Sequence, residues 1–107
     1  IDFIPNLKDL KISEFIAEID GDILVIEGKI LNNSFLTQLS PQIEISELNN
    51  NNEIINVLKV SGENEMIKPQ TYNYFRIEML DYDNISKSKA NEFSAKLSSE
   101  KLILKIW

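Results

Sequence analysis

The sequence of 107 residues contains no cysteine and no histidine. The absence of cysteine excludes disulfides, thiolate metal sites and thiol catalysis. Without histidine, the chain also lacks the commonest nitrogen ligand of zinc, copper and iron, and the usual general base near neutral pH. We therefore predict that the protein binds no metal or cofactor, has no catalytic residues and is not an enzyme.

Positive charge is scarce as well. Eleven Lys and Arg residues stand against 17 Asp and Glu residues, which gives a formal net charge of −6, and Arg76 is the sole arginine. Binding to nucleic acid or to anionic lipid depends on lysine and arginine. We therefore expect neither nucleic-acid binding nor direct membrane contact by this domain, and we expect an acidic surface that favours a basic protein partner. No apolar run approaches the roughly 20 residues of a membrane-spanning helix.

Short segments in which apolar and polar residues alternate recur along the chain, and turn residues separate them. Alternation of this kind is typical of strands that bury one face. The predicted strands lie within residues 7–19 (with a bulge), 23–32, 42–48, 53–61, 71–80 and 101–107, and the clearest turns are at 20–22, 32–34 and 49–52. The length supports one domain, and the pattern predicts a mainly β chain folded as an antiparallel sandwich of six or seven strands.

One stretch favours a different element. Ile85, Lys89, Phe93 and Leu97 recur every fourth residue, which is the spacing of one helix face. The spacing predicts a short helix near residues 85–97, between the strands on either side.

Three segments resemble a family of small bacterial domains. The run from Gly21 to Ser34 (GDILVIEGKILNNS), the run Pro41–Ile45 and the run Lys68–Ile77 follow one another as in the FxLYD-type domains. They also resemble a domain of unknown function that follows a zinc ribbon and a transmembrane helix in many proteobacterial proteins. Gln70 and Thr71 stand where that family has Gly-Glu.

The resemblance implies an immunoglobulin-like sandwich spanning residues 1–107. It further implies part of a longer, membrane-anchored protein that lies on the periplasmic side of the inner membrane, with no known activity. Because a fold does not fix a function, function must be argued from a site.

The best candidate for a partner-binding site is one face of the strand at residues 71–80. Tyr72, Tyr74 and Arg76 share that face by the alternation of the strand. Tyrosine and arginine are enriched at interface hot spots, although aromatic residues also suit an ordinary strand surface. We therefore predict a non-catalytic protein-interaction or structural module.

Two alternatives remain open. Carboxylates at Asp20, Asp22, Asp81 and Asp83 could belong to a calcium-binding loop, a hydrolytic enzyme or an enzyme's accessory domain. The inward residues, which are mostly Ile, Leu and Phe, could instead line the cavity of a lipid or small-ligand carrier. A chain of this length more often fills such a space with its own side chains.

Overall fold

The computed structural model of the chain describes residues 7–82 and 91–98. In this part of the chain strands dominate, and helix is limited to one 3-10 turn at Leu7–Asp9. The prediction of a mainly β, sandwich-like chain is confirmed. The strands are β1 (Leu10–Asp20), β2 (Ile23–Asn32), β3 (Gln38–Leu39), β4 (Gln42–Leu48), β5 (Ile54–Val60), β6 (Met66–Ile67), β7 (Tyr72–Met79) and β8 (Glu92–Ser98).

The strands form three antiparallel sheets. Two have three strands each, in the orders β1-β2-β7 and β5-β4-β8, and the third is the short pair β3-β6. The chain crosses from the first large sheet to the second after β2, and it returns before β7. The apolar faces of the two large sheets pack against one cluster of side chains, which makes the fold a sandwich.

The centre of the core follows from strict alternation in β2 and β4. Leu24, Ile26 and Ile30 of β2 and Ile43 and Ile45 of β4 have no solvent exposure, whereas the residues between them are partly exposed. A strand whose side chains alternate in this way buries one face against the opposite sheet. Ile43 and Ile45, which the alternation of residues 42–48 predicts to face inward, are buried as predicted.

The predicted bulge in β1 is also present. The pairing of β1 with β2 shifts register between Ser13 and Ile16, and Glu14 has a left-handed backbone with φ of 53°. A bulge adds one residue to a strand and so changes which parity faces inward. The residues of β1 that pack on the core are Leu10 and Ile12 before the bulge and Phe15, Ala17 and Ile19 after it.

The expected helix near residues 85–97 is wrong where it overlaps the described chain. Glu92–Ser98 is β8, which pairs with β4 so that Ala95 lies opposite Ile45 and Leu97 opposite Ile43. Residues four apart share a face of a strand as well as of a helix, so the spacing of Phe93 and Leu97 fits both. Pairing with β4 decides the outcome. Residues 83–90 and the predicted last strand at 101–107 lie outside the described residues.

The connection between β5 and β7 contains β6 and packs on the core. Ile67 is buried, and the buried amide of Asn73 in β7 fixes the connection. The Asn73 Nδ2 donates to Ser40 Oγ at 2.8 Å and to the Asn64 carbonyl at 2.7 Å, and its Oδ1 accepts from the Asn64 amide at 3.0 Å. Because the amide is fully paired, its burial carries no unsatisfied group.

Candidate protein-binding surface

Tyr72, Tyr74 and Arg76 lie together on the outer face of the sheet β1-β2-β7, and β7 is an edge strand of that sheet. Tyr72 and Arg76 are exposed, and Tyr74 is half-buried. Tyr72 lies opposite Leu31 of β2, while Arg76 lies opposite Glu27. The sequence therefore placed all three residues on one face, and whether they bind a partner remains a prediction.

A network of charged and polar groups covers the middle of this face. The Tyr74 hydroxyl donates to the Glu27 carboxylate, and Arg76 Nε lies 3.5 Å from the same carboxylate oxygen. Arg76 also donates from Nη1 to Glu78 Oε1 at 2.6 Å. The hydrogen bond to Glu27, together with desolvation, raises the pKa of Tyr74. The arginine is thus held in place with its charge already compensated.

Tyr72 is held by a cation at the end of the same face. The Lys29 Nζ lies 4.4 Å from the centroid of the Tyr72 ring, within the range of a cation–π contact. The same nitrogen lies 2.7 Å from Glu14 Oε2, and this ion pair raises the pKa of Lys29. Glu14 is the bulge residue of β1, so the bulge places a carboxylate beside Lys29. The ion pair holds Lys29 over one face of the Tyr72 ring.

The loop that follows β2 is built around the buried side chain of Asn32. We call residues 33–37 the Asn32 loop. The Asn32 Nδ2 donates to the Leu36 and Ile67 carbonyls, each at 2.9 Å, and its Oδ1 accepts from the Ser34 amide at 3.0 Å and from Ser34 Oγ at 2.7 Å. Asparagine and serine fix turns through such side-chain to backbone bonds. Both ends of the loop are therefore tied to the body of the sandwich.

The Asn32 loop presents two large apolar side chains to solvent. Phe35 is 89% exposed and Leu36 is 71% exposed, the highest values among the large apolar residues described. Gln70 donates from Nε2 to the Asn33 and Ser34 carbonyls at 3.0 Å, and Asn32 N donates to the Thr71 carbonyl. These bonds join the loop to the start of β7, so Phe35 and Leu36 lie at the same end of the sheet as Tyr72.

No periodic pattern in the sequence singles out Phe35 and Leu36. The signal available was a pair of large apolar residues enclosed by turn formers, in the run Asn33-Ser34-Phe35-Leu36-Thr37. Alternation cannot say whether such a pair folds inward or outward. The hydrogen bonds of Asn32 decide this, and they involve carbonyls that lie more than 30 residues away in sequence.

The acidic turns at residues 20–22 and at Asp81, which suggested a calcium site or a hydrolytic enzyme, lie together at the end of the sheet opposite the Asn32 loop. The Asp20–Asp22 turn has Gly21 in the left-handed region with φ of 66°, and the Asp22 carbonyl accepts a bond from the Tyr82 amide at 3.0 Å. Asp81 therefore lies near this turn, while Asp83 is outside the described residues. Among residues 7–82 and 91–98, no group of three or more acidic side chains is arranged to hold a metal ion.

One carboxylate points into the sandwich rather than outward. Glu47 of β4 is buried, and its Oε2 accepts from the Tyr82 hydroxyl at 2.8 Å and from Asn91 Nδ2 at 2.9 Å. Burial, followed by the bond to Glu47, raises the pKa of Tyr82. The arrangement links β4 to the segments that follow β7 and precede β8, and it gives Glu47 a structural role at the rim of the core.

Comparison with family models, with curated proteins and with solved structures found no match to this chain. The resemblance to the FxLYD-type and zinc-ribbon-associated domains therefore stays a prediction. Within the described residues, no helix is both long and apolar enough to span a membrane.

Proposed function

We propose that the chain is a non-catalytic protein-interaction or structural module that binds a protein partner through the Asn32 loop and the adjoining end of β7. The observation that carries the proposal is the pair Phe35 and Leu36, which are highly exposed on a loop whose backbone is fixed. A contiguous apolar patch on the surface of a free protein marks an interaction site more often than a single exposed apolar residue does. Phe35 and Leu36 are adjacent, and they lie at the same end of the sheet as Tyr72.

Rigidity is what makes this loop suited to binding. Binding costs free energy when a flexible loop must be ordered, and a loop already fixed by its own hydrogen bonds avoids much of that cost. Tyr72 and Arg76 add an aromatic and a cationic group on the neighbouring face, in the residue classes that dominate interface hot spots. The acidic character of the chain favours a partner with a basic surface around the apolar contact.

The strand order supports an immunoglobulin-like version of the sandwich. In that fold, strands A, B and E share one sheet, while C and F share the other and C′ joins the second sheet in the variable type. The order β1-β2-β7 corresponds to A-B-E, and β5-β4-β8 corresponds to C′-C-F. In such folds the loops at one end of the sandwich carry recognition, and the Asn32 loop, which joins the two sheets, occupies such an end.

The proposed location rests on the sequence resemblance alone. By that resemblance the domain is the extracytoplasmic part of a bacterial membrane-anchored protein, on the periplasmic side of the inner membrane. Fractionation of cells that express the complete protein, followed by protease treatment of spheroplasts, tests this proposal. Protection of the domain in spheroplasts would contradict it.

The binding proposal is tested by placing a photo-crosslinking residue in the loop. Phe35 is replaced by benzoylphenylalanine, and the matched control carries the same group at Leu80, which is 69% exposed at the other end of the sheet. We expect ultraviolet light to give a discrete protein adduct from position 35 in cell extract, and no such adduct from position 80. Mass spectrometry identifies the protein that is captured.

A second comparison separates direct contact from chance capture. Excess unlabelled wild-type domain should compete the adduct away, whereas excess Phe35→Ser/Leu36→Ser domain, confirmed to be folded by circular dichroism, should not. If Tyr72→Ala also fails to compete, the surface extends onto β7. Equal capture at positions 35 and 80, or equal competition by the loop variant, would overturn the proposal.

A further inference from the structure

The turn that precedes β7 holds one residue in a backbone conformation that its side chain disfavours. Gln70 has a left-handed backbone with φ of 58°. It follows Pro69, and the Thr71 amide donates to the Lys68 carbonyl at 3.2 Å, which closes a four-residue turn. A turn with proline in second place and a left-handed residue in third place usually carries glycine or asparagine there. Glutamine in that place is strained, because its Cβ crowds the following carbonyl.

The turn does not depend on the glutamine side chain for its shape. The Thr71 hydroxyl also donates to the Lys68 carbonyl, at 2.7 Å, and the Thr71 carbonyl accepts from the Asn32 amide at 2.9 Å. These bonds hold both sides of the turn, and none of them involves the side chain of Gln70. What glutamine contributes therefore lies in the contacts of its side chain outside the turn.

The Gln70 side chain contacts the Asn32 loop. Its Nε2 donates to the Asn33 carbonyl and to the Ser34 carbonyl, each at 3.0 Å, so both hydrogens of the amide are used. The Ser34 carbonyl belongs to the peptide bond that leads into Phe35. Because a peptide is planar, a bond to its oxygen restricts the orientation of the whole unit. Gln70 thus holds, from the solvent side, the peptide that leads into the most exposed large apolar residue described.

We propose that Gln70 is the positioning residue of the Asn32 loop, and that its strained backbone is tolerated because its side chain fixes the direction of Phe35. Asn32 gives the loop its shape from the buried side, and Gln70 restrains the Phe35 peptide from outside. Strained residues cluster at ligand clamps, where they order a contact in advance of binding. The consequence for binding rests on the proposed function, whereas the restraint on Phe35 does not.

NMR relaxation of the backbone amides measures the restraint. In Gln70→Ala and in Gln70→Gly the order parameter of the Phe35 amide should fall by about 0.2 or more from the value of about 0.85 that is typical of a rigid backbone. The Ser34 amide donates to Asn32 Oδ1 and should lose less than half as much. Asn52→Gly is the matched control, since Asn52 is also left-handed, with φ of 61°, and lies in the turn between β4 and β5. It should leave Phe35 unchanged.

Thermal unfolding measures the strain. Alanine and glycine both remove the side-chain amide, but only glycine adopts a left-handed backbone freely. The midpoint of Gln70→Gly should therefore lie at least about 3 °C above that of Gln70→Ala.

Competition for the adduct formed from position 35 links the restraint to binding. Unlabelled Gln70→Gly and Gln70→Ala domains should each require about fivefold or higher concentration than the wild type to compete the adduct away, because both must order the loop on binding. Gln70→Gly should compete as weakly as Gln70→Ala although it is the more stable of the two. A merely structural role would instead make competition follow stability.

Three outcomes would overturn the proposal. They are an unchanged order parameter at Phe35 in both Gln70 variants, a Gln70→Gly variant no more stable than Gln70→Ala, and competition by both variants equal to that of the wild type. If the wild-type chain forms no adduct from position 35, the proposed function fails. The order parameters and the unfolding midpoints then still decide whether Gln70 positions the loop.

Discussion

Gly28 lies where the ring of Phe75 and the backbone of Phe15 approach β2 closely. A Cβ at this position would lie 2.6 Å from Cζ of Phe75 and 3.4 Å from the Cα of Phe15. Phe75 is fully buried, with its ring centroid 6.4 Å from that of Phe15, so it has little room to move. A mid-strand glycine of this kind marks a close approach rather than a turn.

We therefore expect Gly28→Ala to lower the free energy of unfolding by about 1–3 kcal/mol, the usual cost of overpacking a core. Urea denaturation measures it. Because the cost comes from the contact with Phe75, the two positions should be coupled. In Gly28→Ala/Phe75→Leu the smaller side chain makes room for the methyl group, so the double variant should lose less free energy of unfolding than the two single variants lose together. Additive effects, or a change within about 0.5 kcal/mol for Gly28→Ala, would contradict the contact.

The hydrogen bond from half-buried Tyr82 to buried Glu47 predicts a pH dependence of stability at the alkaline end. Burial and the hydrogen bond to Glu47 raise the pKa of Tyr82 above its ordinary value of about 10. Between the Tyr82 pKa of the unfolded chain and the higher Tyr82 pKa of the folded chain, Tyr82 keeps its proton only in the folded chain. The free energy of unfolding therefore falls as pH rises through this range. The contribution is present in full below about pH 10, and it is lost as pH rises towards and through the folded pKa.

Tyr82→Phe removes the titrating group, so we expect its stability to fall less steeply than that of the wild type above pH 10. Urea unfolding at several pH values measures both slopes, and tyrosinate absorbance reports the ionisation itself. The pKa of Tyr74 is also raised, but it is raised in the wild type and in Tyr82→Phe alike, so its effect cancels when the two slopes are compared. Identical slopes would mean that Tyr82 ionises equally in the folded and unfolded chains.

At the scale of elements, the Asn32 loop depends on a single side chain. Asn32→Ala removes the donors to the Leu36 and Ile67 carbonyls and the acceptor for Ser34. The Leu36 carbonyl keeps its bond from Ser34 Oγ, whereas the Ile67 carbonyl loses a buried bond. We expect a loss of about 2–3 kcal/mol in the free energy of unfolding, from lost bonds and unsatisfied groups together. Asn33→Ala, at an exposed neighbour, is the matched control and should change stability by less than about 0.5 kcal/mol.

Asn32→Ala also tests whether partner binding needs the fixed backbone of the Asn32 loop or only the Phe35 side chain. Amide exchange of Ser34 and Leu36 should become faster in Asn32→Ala. The Ser34 amide donates to Asn32 Oδ1, and the Leu36 amide donates to Ser34 Oγ, which itself bonds to Asn32 Oδ1. Capture of a partner by Phe35 should then weaken although Phe35 is unchanged. Unaltered exchange with unaltered capture would show that the loop does not need Asn32 for its shape.

Alternation and turn chemistry predict most of the elements of this chain. The runs at Ile23–Asn32 and Gln42–Leu48 alternate without interruption, and asparagine near the 49–52 turn adopts the left-handed backbone that the turn requires, with Asn52 at φ of 61°. These signals are local. The spacing of Phe93 and Leu97 wrongly predicts a helix over Glu92–Ser98, because that spacing fits both a helix and a strand. Only the pairing with β4 distinguishes the two.

The candidate site is less visible in the sequence than the fold. Tyr72, Tyr74 and Arg76 fall on one face by strand parity alone, but their links to Glu27 and Lys29 require the register of β7 against β2. Phe35 and Leu36 have no periodic signal at all. Their exposure follows from bonds between Asn32 and the segment at residues 67–68, and such long-range contacts cannot be read from spacing.

At the scale of the whole molecule, the Asn32 loop lies between the two large sheets in chain order. It follows β2 of the sheet β1-β2-β7, and the chain then continues through β3 to β4 of the sheet β5-β4-β8. Hydrogen bonds from Asn32 to the Ile67 carbonyl and from Gln70 to the loop carbonyls join this crossing to the segment that leads back to β7.

The single core predicts that the two large sheets unfold together. Ile26 from one sheet and Ile45 from the other belong to one cluster of fully buried side chains. Removing one methyl group by Ile45→Val should cost about 1 kcal/mol. If the sheets form one cooperative unit, that loss should accelerate exchange of the slowest amides in β2 as much as in β4, by about fivefold, because both exchange through global unfolding. Native-state hydrogen exchange by NMR measures each amide separately. Acceleration confined to β4, β5 and β8 would mean that the sheets open independently, and the shared core would then not couple them.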